Sequence, residues 1–275
     1  MNFEFLSDPA GFGLSEGWLQ VAFNSPYWQI LLAGLFNTLK VALPALLLST
    51  VLGLFIGLGQ LAHHPLLKGL CRGYIHLFRN VPLLLQLLAI YFAITQFLPI
   101  ASQAWSLGDH VFLSKSGLAF PTFSEVPVRG RFSIEGGWAL SPEYLAVLLA
   151  LVVYTAAFVA EIVRAGVQAV RPGMRQGALA LGLNNAQTTR HVVLPLALRV
   201  VVPSLSNQYL NLLKNASLGV AVGYPELVSV ANTAINQSGK AVECVLIILI
   251  TYALLSAVAA GLMNALNTRV NRGAL

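Results

Sequence analysis

Polar side chains recur at helical spacing inside an apolar part of the chain. Five of them fall on one face of a helix: Ser204, Asn207, Asn211, Lys214 and Asn215. In a lipid bilayer a lysine near the centre costs about 2.5–3.5 kcal/mol, so it usually faces protein or a water-filled cavity. One interpretation is a substrate pathway in which Lys214 meets a carboxylate. The other is hydrogen bonding between helices, which we favour for Ser204 and Asn207.

A second apolar stretch places Tyr154, Phe158 and Glu161 on one helical face. Glu161 could pair with Lys214 or with Arg164, or anchor the end of its helix, and an i, i+3 pair with Arg164 is the simplest of these. A glutamine in the run NVPLLLQLL could also line a path. The predicted pathway residues are Gln86, Tyr154, Glu161, Asn211, Lys214, Asn215 and Ser217.

No residues have the spacing of a catalytic or metal site. The sequence has no Walker-type phosphate loop, no nucleophile motif and no paired carboxylates. Cys71 and Cys244 have neither metal-binding nor redox spacing. We therefore expect no catalytic residue, no metal site and no cofactor bound by this chain. Active transport would draw its energy from a partner or from an ion gradient.

The composition is that of an integral membrane protein. Of 275 residues, 57% are hydrophobic and 9% are charged, whereas a soluble domain carries about 25% charged residues. The mean hydropathy is +0.74. The net charge of +6 comes from basic residues beside apolar segments, so we expect contact with membrane lipid and none with nucleic acid. Residues 1–17 contain no Lys or Arg, so we expect no cleavable signal peptide.

Charge-free apolar runs predict an all-α protein with about five transmembrane helices, since crossing the bilayer takes roughly 20 residues. A sixth helix near the N-terminus is the main alternative. The predicted spans are 30–62, 81–108, 144–163, 200–225 and 244–268.

Basic residues set the expected orientation. Ten lie on the side that contains residues 171–199 and the C-terminus, and four lie on the other side. The positive-inside tendency makes the first side cytoplasmic and puts the N-terminus outside. The expected organisation is an outer or interfacial segment 1–28, a transmembrane domain 29–270 and a cytoplasmic tail 271–275. The outer loop 101–142 is either a lid or docking surface or a tolerated insertion, and its alternation around 120–134 allows a small hairpin.

Residues 176–195, QGALALGLNNAQTTRHVVLP, form a polar island with arginines around it. Ala178 and Leu181 lie on one apolar face of a short helix. Gly182 stands where a left-handed C-cap is expected, and Asn184 can cap a second short helix that ends before the Leu-Pro pair. The pattern predicts two short helices at an angle that meet a soluble partner on the membrane surface.

Three classes of protein fit these features. They are the membrane subunit of a multi-subunit importer, a self-contained secondary transporter, and a membrane-embedded enzyme or scaffold. Five spans without an evident repeat argue against most inverted-repeat transporters. The lack of catalytic constellations disfavours an enzyme.

The polar island resembles the EAA loop of ABC-importer permeases, which reads Glu-Ala-Ala, three residues, Gly, nine residues, then Ile-x-Leu-Pro. The chain departs from it at Gln176, where an acid is usual, and at Gly177, where alanine is usual. Glutamine keeps hydrogen-bonding capacity but loses the negative charge. The remaining positions are filled by Ala178, Gly182, Val192, Leu194 and Pro195.

Four further segments resemble the polar amino-acid permeases of that superfamily: NTLKVAL, FRNVPLLLQL, AAFVAEIVRAGVQAV and SNQYLNLLKNASLGVAVGYPELVSV. The runs FLSKSGLAFP and GYPELVSV are most similar to the general L-amino-acid permeases. The resemblance extends in order from about residue 31 to residue 270.

The resemblance implies a type I ABC importer permease in a bacterial inner membrane, with a periplasmic N-terminus and a cytoplasmic EAA-type coupling loop at 171–199. The implied partners are an ATP-binding subunit dimer that holds ATP and Mg, a second homologous permease in a heterodimer, and a periplasmic amino-acid-binding protein that delivers L-amino acids. The apolar face around Ala178 and Leu181 would fill a groove on the ATPase. The expected coupling residues are Gln176, Gly177, Ala178, Leu181, Gly182, Leu194 and Pro195. A secondary amino-acid transporter driven by an ion gradient is the alternative.

Overall fold

The computed structural model describes residues 2–14, 16–108, 110–122, 125–130 and 133–272. Helices make up most of it: α1 (Tyr27–Gln60), α2 (Pro65–Asn80), α3 (Leu83–Phe92), α4 (Pro142–Gln168), α5 (Pro172–Ala180), α6 (Asn185–Thr188), α7 (Leu194–Asn215), α8 (Leu227–Ser238) and α9 (Ala241–Arg272). A π-helical turn follows α3 at Ala93–Phe97, another joins α6 to α7 at Thr189–Val193, and a 3₁₀ turn follows α7 at Ala216–Val222. Of the predicted tail, residues 271 and 272 continue α9, and 273–275 lie outside the described residues.

Three helices, α1, α4 and α9, are each long and apolar enough to cross a membrane. Two bent helix pairs meet the same test when each is taken together. One is α2 with α3 and its π-helical turn, bent by 102°, and the other is the helix from Asn185 to Val222 with α8, bent by 50°. If each bent pair crosses once, the described residues contain up to five spans, in agreement with the predicted number.

The predicted second span, 81–108, is too long. The helical run that begins with α3 ends at Phe97, and Leu98 is extended at φ −74° and ψ 152°. A residue before proline is driven out of the helical region by the proline ring, and Pro99 follows. The charge-free run therefore ends as loop and strand rather than helix. Sequence reasoning also predicted neither α2 nor α8 as a separate helix.

The chain divides into two compact units. The first consists of Met1–Ala45, Val81–Leu151 and Asn215–Ile248, and the second of Leu46–Asn80, Val152–Lys214 and Leu249–Leu275. Each unit takes part of the long helices α1, α4 and α9.

Two glycines let α1 and α4 approach closely within the second unit. A Cβ atom at Gly53 would lie 2.5 Å from the Cβ of Val159, and one at Gly57 would lie 2.9 Å from the Cβ of Val163. Real Cβ atoms do not approach so closely, so both positions require glycine. Small residues four apart are a common way for transmembrane helices to pack, because van der Waals contact replaces the hydrophobic effect in lipid.

The segment between α3 and α4 contains a small antiparallel sheet in the first unit. The strands are β1 (Trp105–Leu107), β2 (Val111–Ser114), β3 (Gly117–Phe120), β4 (Val128–Arg129), β5 (Ile134–Glu135) and β6 (Trp138–Leu140). They lie in the order β1-β2-β3-β6, and β4 and β5 form a separate pair. The predicted hairpin around 120–134 is right for β4 and β5, where Val128 is opposite Glu135. It is wrong for Phe120, which lies opposite Trp138.

Candidate functional site

Helix α5 ends in a Schellman motif centred on Gly182. The Leu183 N–H donates to the Ala178 carbonyl at 3.2 Å, and the Gly182 N–H donates to the Leu179 carbonyl at 3.0 Å. Gly182 has φ +88°, the left-handed conformation that this motif needs and that glycine adopts without a Cβ clash. The predicted left-handed C-cap is confirmed. The motif turns the chain sharply between α5 and α6.

The start of α6 carries the predicted cap at Asn184. Its side chain accepts from the Gln187 N–H at 2.9 Å, and the Gln187 side chain accepts from the Asn184 N–H at 3.0 Å. This is a capping box, which satisfies two N–H groups at the helix start. The cap and the Schellman motif together define both sides of the turn between α5 and α6.

The sequence predicted that α6 ends before the Leu-Pro pair, and this prediction is wrong. The π-helical turn Thr189–Val193 carries α6 directly into α7, and Leu194 itself is helical at φ −62° and ψ −48°. Pro195 lies in the first turn of α7, where a missing N–H interrupts the helix least. The π-helical turn before Pro195 accommodates the missing N–H within a continuous helix. Helical backbone therefore runs without a break from Asn185 to Asn215.

The exposed residues of this surface differ from the predicted contact face. Ala178 is only 6% exposed and packs inside its own chain, whereas Leu181 is 86% exposed. The two therefore do not form one outward apolar face, since α6 and its π-helical turn pack beside α5. Met174 and Leu194 are half exposed. Gln176 and Gly177 are exposed, and Pro195 is half-buried. Residues 172–195, the predicted contact with an ATPase, are called the coupling surface.

The polar stripe on α7 lies on the exposed face of that helix. Four of its five members are exposed: Ser204, Asn207, Asn211 and Lys214. The residues on the other side are buried: Val201, Val202, Leu212 and Leu213. The Ser204 hydroxyl donates to the Val200 carbonyl of its own helix at 3.1 Å, so the predicted hydrogen bond to another helix is not what holds it in this chain. Asn215 and Ser217 are half-buried at the end of α7 and in the 3₁₀ turn after it.

Glu161 forms an ion pair with Arg164 one turn later on α4. The Arg164 Nε donates to Glu161 Oε2 at 3.0 Å, and Nη2 contacts Oε1. Among the alternatives that the sequence left open, the pair with Arg164 is the one formed here. Tyr154 is half-buried, and its ring packs on Phe158 at a centroid distance of 4.9 Å.

Gln86 does not line an open path in this conformation. It is 6% exposed, and its amide Nε2 donates to the Val81 carbonyl at 2.8 Å. Val81 lies between α2 and α3, where the chain bends by 102° and the carbonyl has no regular helical partner. The side chain therefore stabilises the bend.

A buried polar network in the first unit escaped sequence reasoning. The Tyr224 hydroxyl donates to the Asn37 carbonyl at 2.9 Å, and the Leu227 N–H donates to Thr38 Oγ1 at 3.2 Å. The buried Glu226 carboxylate caps α8 by accepting from two backbone N–H groups, at 2.8 and 2.9 Å. Acids are enriched near helix starts, so Glu226 before an apolar run and after Gly-Tyr-Pro is a weak signal for the start of α8.

The N-terminal segment is joined to the start of α4 through Ser141. This hydroxyl accepts from the Tyr144 N–H at 3.0 Å and donates to Glu16 Oε1 at 2.6 Å. Burial raises the pKa of the Glu16 carboxyl above its usual range, while the Ser141 hydrogen bond and the charge of Lys40 oppose that rise. Because the pKa is raised, this carboxyl contributes most to stability below its unfolded pKa and loses that contribution as the pH rises through the folded value.

The described residues are mostly helical, and a capped turn joins the two short helices α5 and α6. The structure resembles that of an amino acid ABC transporter with histidines, at a TM-score of 0.68 and 27% identity over 88% of this chain and 95% of that one. The inward-facing MetNI methionine ABC transporter gives a TM-score of 0.60 at 18% identity, over 88% of this chain and 97% of that one. The fold is that of type I ABC importer permeases.

The family of binding-protein-dependent transport system inner membrane components matches residues 49–272. A putative amino-acid ABC transporter permease protein, YhdX, of Escherichia coli is 36% identical, covering 98% of this chain and 85% of its own length. The general L-amino acid transport system permease protein AapQ of Rhizobium johnstonii is 34% identical, covering 98% and 83%. The chain belongs to this family of inner membrane transport components.

Proposed function

We propose that this chain is a permease subunit of an ATP-driven importer for L-amino acids. The observation that carries the proposal is the unbroken helical backbone from Asn185 to Asn215, which joins the coupling surface to the polar face of α7. At 1.5 Å per residue this helical run is about 45 Å long. Within one unit, a force on α6 is therefore transmitted along the helix to the residues around Lys214.

The family and the exposed residues of the coupling surface support the proposed partners. Two copies of an ATPase subunit bind the cytoplasmic coupling surface and a matching surface on a second, similar permease. Leu181, Met174 and Leu194 supply exposed apolar side chains for that contact. Gln176 contributes hydrogen bonds rather than charge. A periplasmic protein delivers the amino acid on the side of the N-terminus.

The substrate class is supported by the chemistry of the α7 face and by the relatives. Every L-amino acid carries an α-carboxylate, and Lys214 is the cation of the exposed stripe. A charge-assisted hydrogen bond to a carboxylate contributes about 1.5–3 kcal/mol. The two relatives described above are named as permeases for amino acids. Asn207 and Asn211 add neutral donors and acceptors beside the lysine.

The test is uptake by the complete transporter in proteoliposomes. We expect ATP-dependent uptake of amino acids, and we expect Lys214→Met to lower uptake by about 10- to 100-fold while the complex still assembles. Lys115→Met, which removes a lysine from the β2–β3 turn, is the matched control and should transport normally.

Two results would contradict the proposal. Normal uptake of both neutral and acidic amino acids by Lys214→Met would assign the lysine a structural role. Uptake that collapses with the proton gradient but survives ATP depletion would identify an ion-driven transporter instead.

A further inference from the structure

A polar cavity of about 290 Å³ lies in the second unit, between α2 and the C-terminal parts of α1 and α4. It lies apart from both the polar face of α7 and the coupling surface. Gln60 of α1 and Gln168 of α4 contribute amides to its wall. Its charged and titratable lining residues are Lys68, Arg72, His76 and Arg79 of α2, with Glu161 and Arg164 of α4.

The cavity carries an excess of positive charge. Four permanent cations face one carboxylate, Glu161, which leaves a net charge of +3 with His76 neutral. Glu161 is already engaged in an ion pair with Arg164. Arg79 stacks on the Phe158 ring at 5.1 Å. Lys68 and Arg72 thus face the cavity with no acidic partner from the described chain.

A bound anion would supply the missing negative charge. The fork of N–H groups on an arginine matches the oxygens of a phosphate, and a lysine adds a point charge. Because Arg72 and Lys68 are one helical turn apart on α2, they point to the same side of the helix. These groups suit a phosphate group with a net negative charge.

Helix α2 has the pattern of a helix that lies in the membrane interface. Leu66, Leu70 and Leu77 are about 60% exposed and share the face opposite to Lys68 and Arg72. A helix with leucines on one face and basic residues on the other lies at the level of the lipid headgroups, with its apolar face in the acyl chains. The phosphate present at that depth is the phosphate of a phospholipid.

We propose that this cavity binds the headgroup phosphate of an anionic membrane phospholipid. Lys68 and Arg72 contact the phosphate, Arg79 and Arg164 hold the surrounding positive potential, and the leucine face keeps α2 at headgroup depth. The site is independent of the proposed transport of amino acids. Its preference for anionic over zwitterionic lipid follows from the net charge of the cavity.

The experiment titrates the purified full chain in detergent with three probes, read by native mass spectrometry. The probes are dioctanoyl phosphatidylglycerol, dioctanoyl phosphatidylcholine and inorganic phosphate. We expect tighter binding of phosphatidylglycerol than of phosphatidylcholine. Each cation removed should weaken phosphatidylglycerol binding about fivefold, so the double variant Lys68→Gln/Arg72→Gln should lose roughly 25-fold.

The matched control is Lys240→Gln/Arg269→Gln, which removes the same two residue types at positions outside the cavity. It should bind phosphatidylglycerol like the unchanged chain. Arg72→Lys keeps the charge but loses the fork, so a loss of a few-fold is expected, and this variant tests the site even if the double variant folds poorly.

Equal affinity for the two lipids would overturn the proposal, and so would equal binding by the cavity variant and its control. Binding of inorganic phosphate as tight as that of phosphatidylglycerol, lost in the same variant, would overturn the lipid as the source and identify a soluble phosphate site. No loss in Arg72→Lys would overturn the contact of Arg72 with the phosphate.

Discussion

The angle of the coupling surface depends on the backbone of a single residue, Gly182. A Cβ atom there would meet no heavy atom within 4 Å, so space does not restrict the position. The restriction is φ +88°, which places the Cβ of any L-residue against its own backbone at about 1–2 kcal/mol. Gly261 has equal space but lies inside α9 without a positive φ. The two glycines therefore separate backbone strain from side-chain crowding.

Gly182→Val should uncouple transport from ATP hydrolysis while the protein still inserts. A β-branched residue is a genuine outlier in the left-handed region, so the turn relaxes and the angle between α5 and α6 changes. The measurements are uptake and the stimulation of ATPase activity by the binding protein in the reconstituted transporter.

Gly261→Val is the control for the added side chain, because it lies in α9 outside the coupling surface, and it should keep both activities. If Gly182→Val retained uptake and ATPase stimulation at the level of Gly261→Val, the left-handed turn would have no part in coupling.

The proline inside α1 shows how a side chain of one helix can satisfy a backbone group of another. Pro44 lies inside the helix and has no N–H for the carbonyl of Lys40, four residues earlier. The Tyr144 hydroxyl of α4 donates to that carbonyl at 3.2 Å, and the Lys40 ammonium lies over the Tyr144 ring at 5.3 Å. A proline that would cost about 3 kcal/mol inside an isolated helix is thus accommodated by a side chain from another helix.

Tyr144→Phe should lower stability by about 1–3 kcal/mol, because it leaves the partly buried Lys40 carbonyl without this donor but keeps the ring. Pro44→Ala restores the N–H, so in that background the same change should cost less. The measurement is the unfolding midpoint of the four proteins of this double-mutant cycle in detergent. Equal losses in both backgrounds would show that the hydroxyl does not replace the missing N–H.

At the scale of the whole molecule, the charge distribution predicts which face of the membrane each part occupies. The coupling surface carries exposed Arg171, Arg175 and Arg190, as cytoplasmic segments do. The small sheet between α3 and α4 would then lie on the periplasmic side. The two native cysteines, Cys71 and Cys244, are buried, which leaves the surface clear for labelling.

Leu181→Cys and Leu107→Cys should react from opposite sides of the membrane with an impermeant maleimide. Both leucines are more than four-fifths exposed. Leu181→Cys should be labelled only after the inner membrane is opened, and Leu107→Cys in intact spheroplasts. The unchanged protein is the control for the native thiols. Labelling of both positions from one side would reject the proposed orientation.

The sequence predicted the backbone conformation correctly where neighbouring residues decide it. The left-handed glycine at 182 and the cap at Asn184 depend on backbone sterics and hydrogen bonds within a few residues, and both were predicted. The predicted end of α6 was wrong, because a proline in the first turn of α7 is tolerated when a π-helical turn precedes it. The predicted second span was too long because absence of charge does not define a helix end.

The sequence predicted the roles of side chains less accurately than the conformation of the backbone. Gln86 was predicted to line a path, yet its amide satisfies a carbonyl at the α2–α3 bend. Ala178 was predicted to face a partner, yet it is buried, and α5 packs beside α6 and the π-helical turn. Both outcomes depend on which element packs alongside, which periodicity along one helix does not contain.

The sequence by itself determined the membrane class, the number of spans, the capped turn at the coupling surface and the polar face of α7. These follow from hydropathy, helical periodicity and local backbone preference. Only the tertiary structure decided that α6 continues into α7, that Tyr144 serves the carbonyl freed by Pro44, and that the basic face of α2 closes a cavity with Glu161 and Arg164. The last two features join residues distant in sequence, and their energies come from packing and from carbonyls and charges that find partners on other helices.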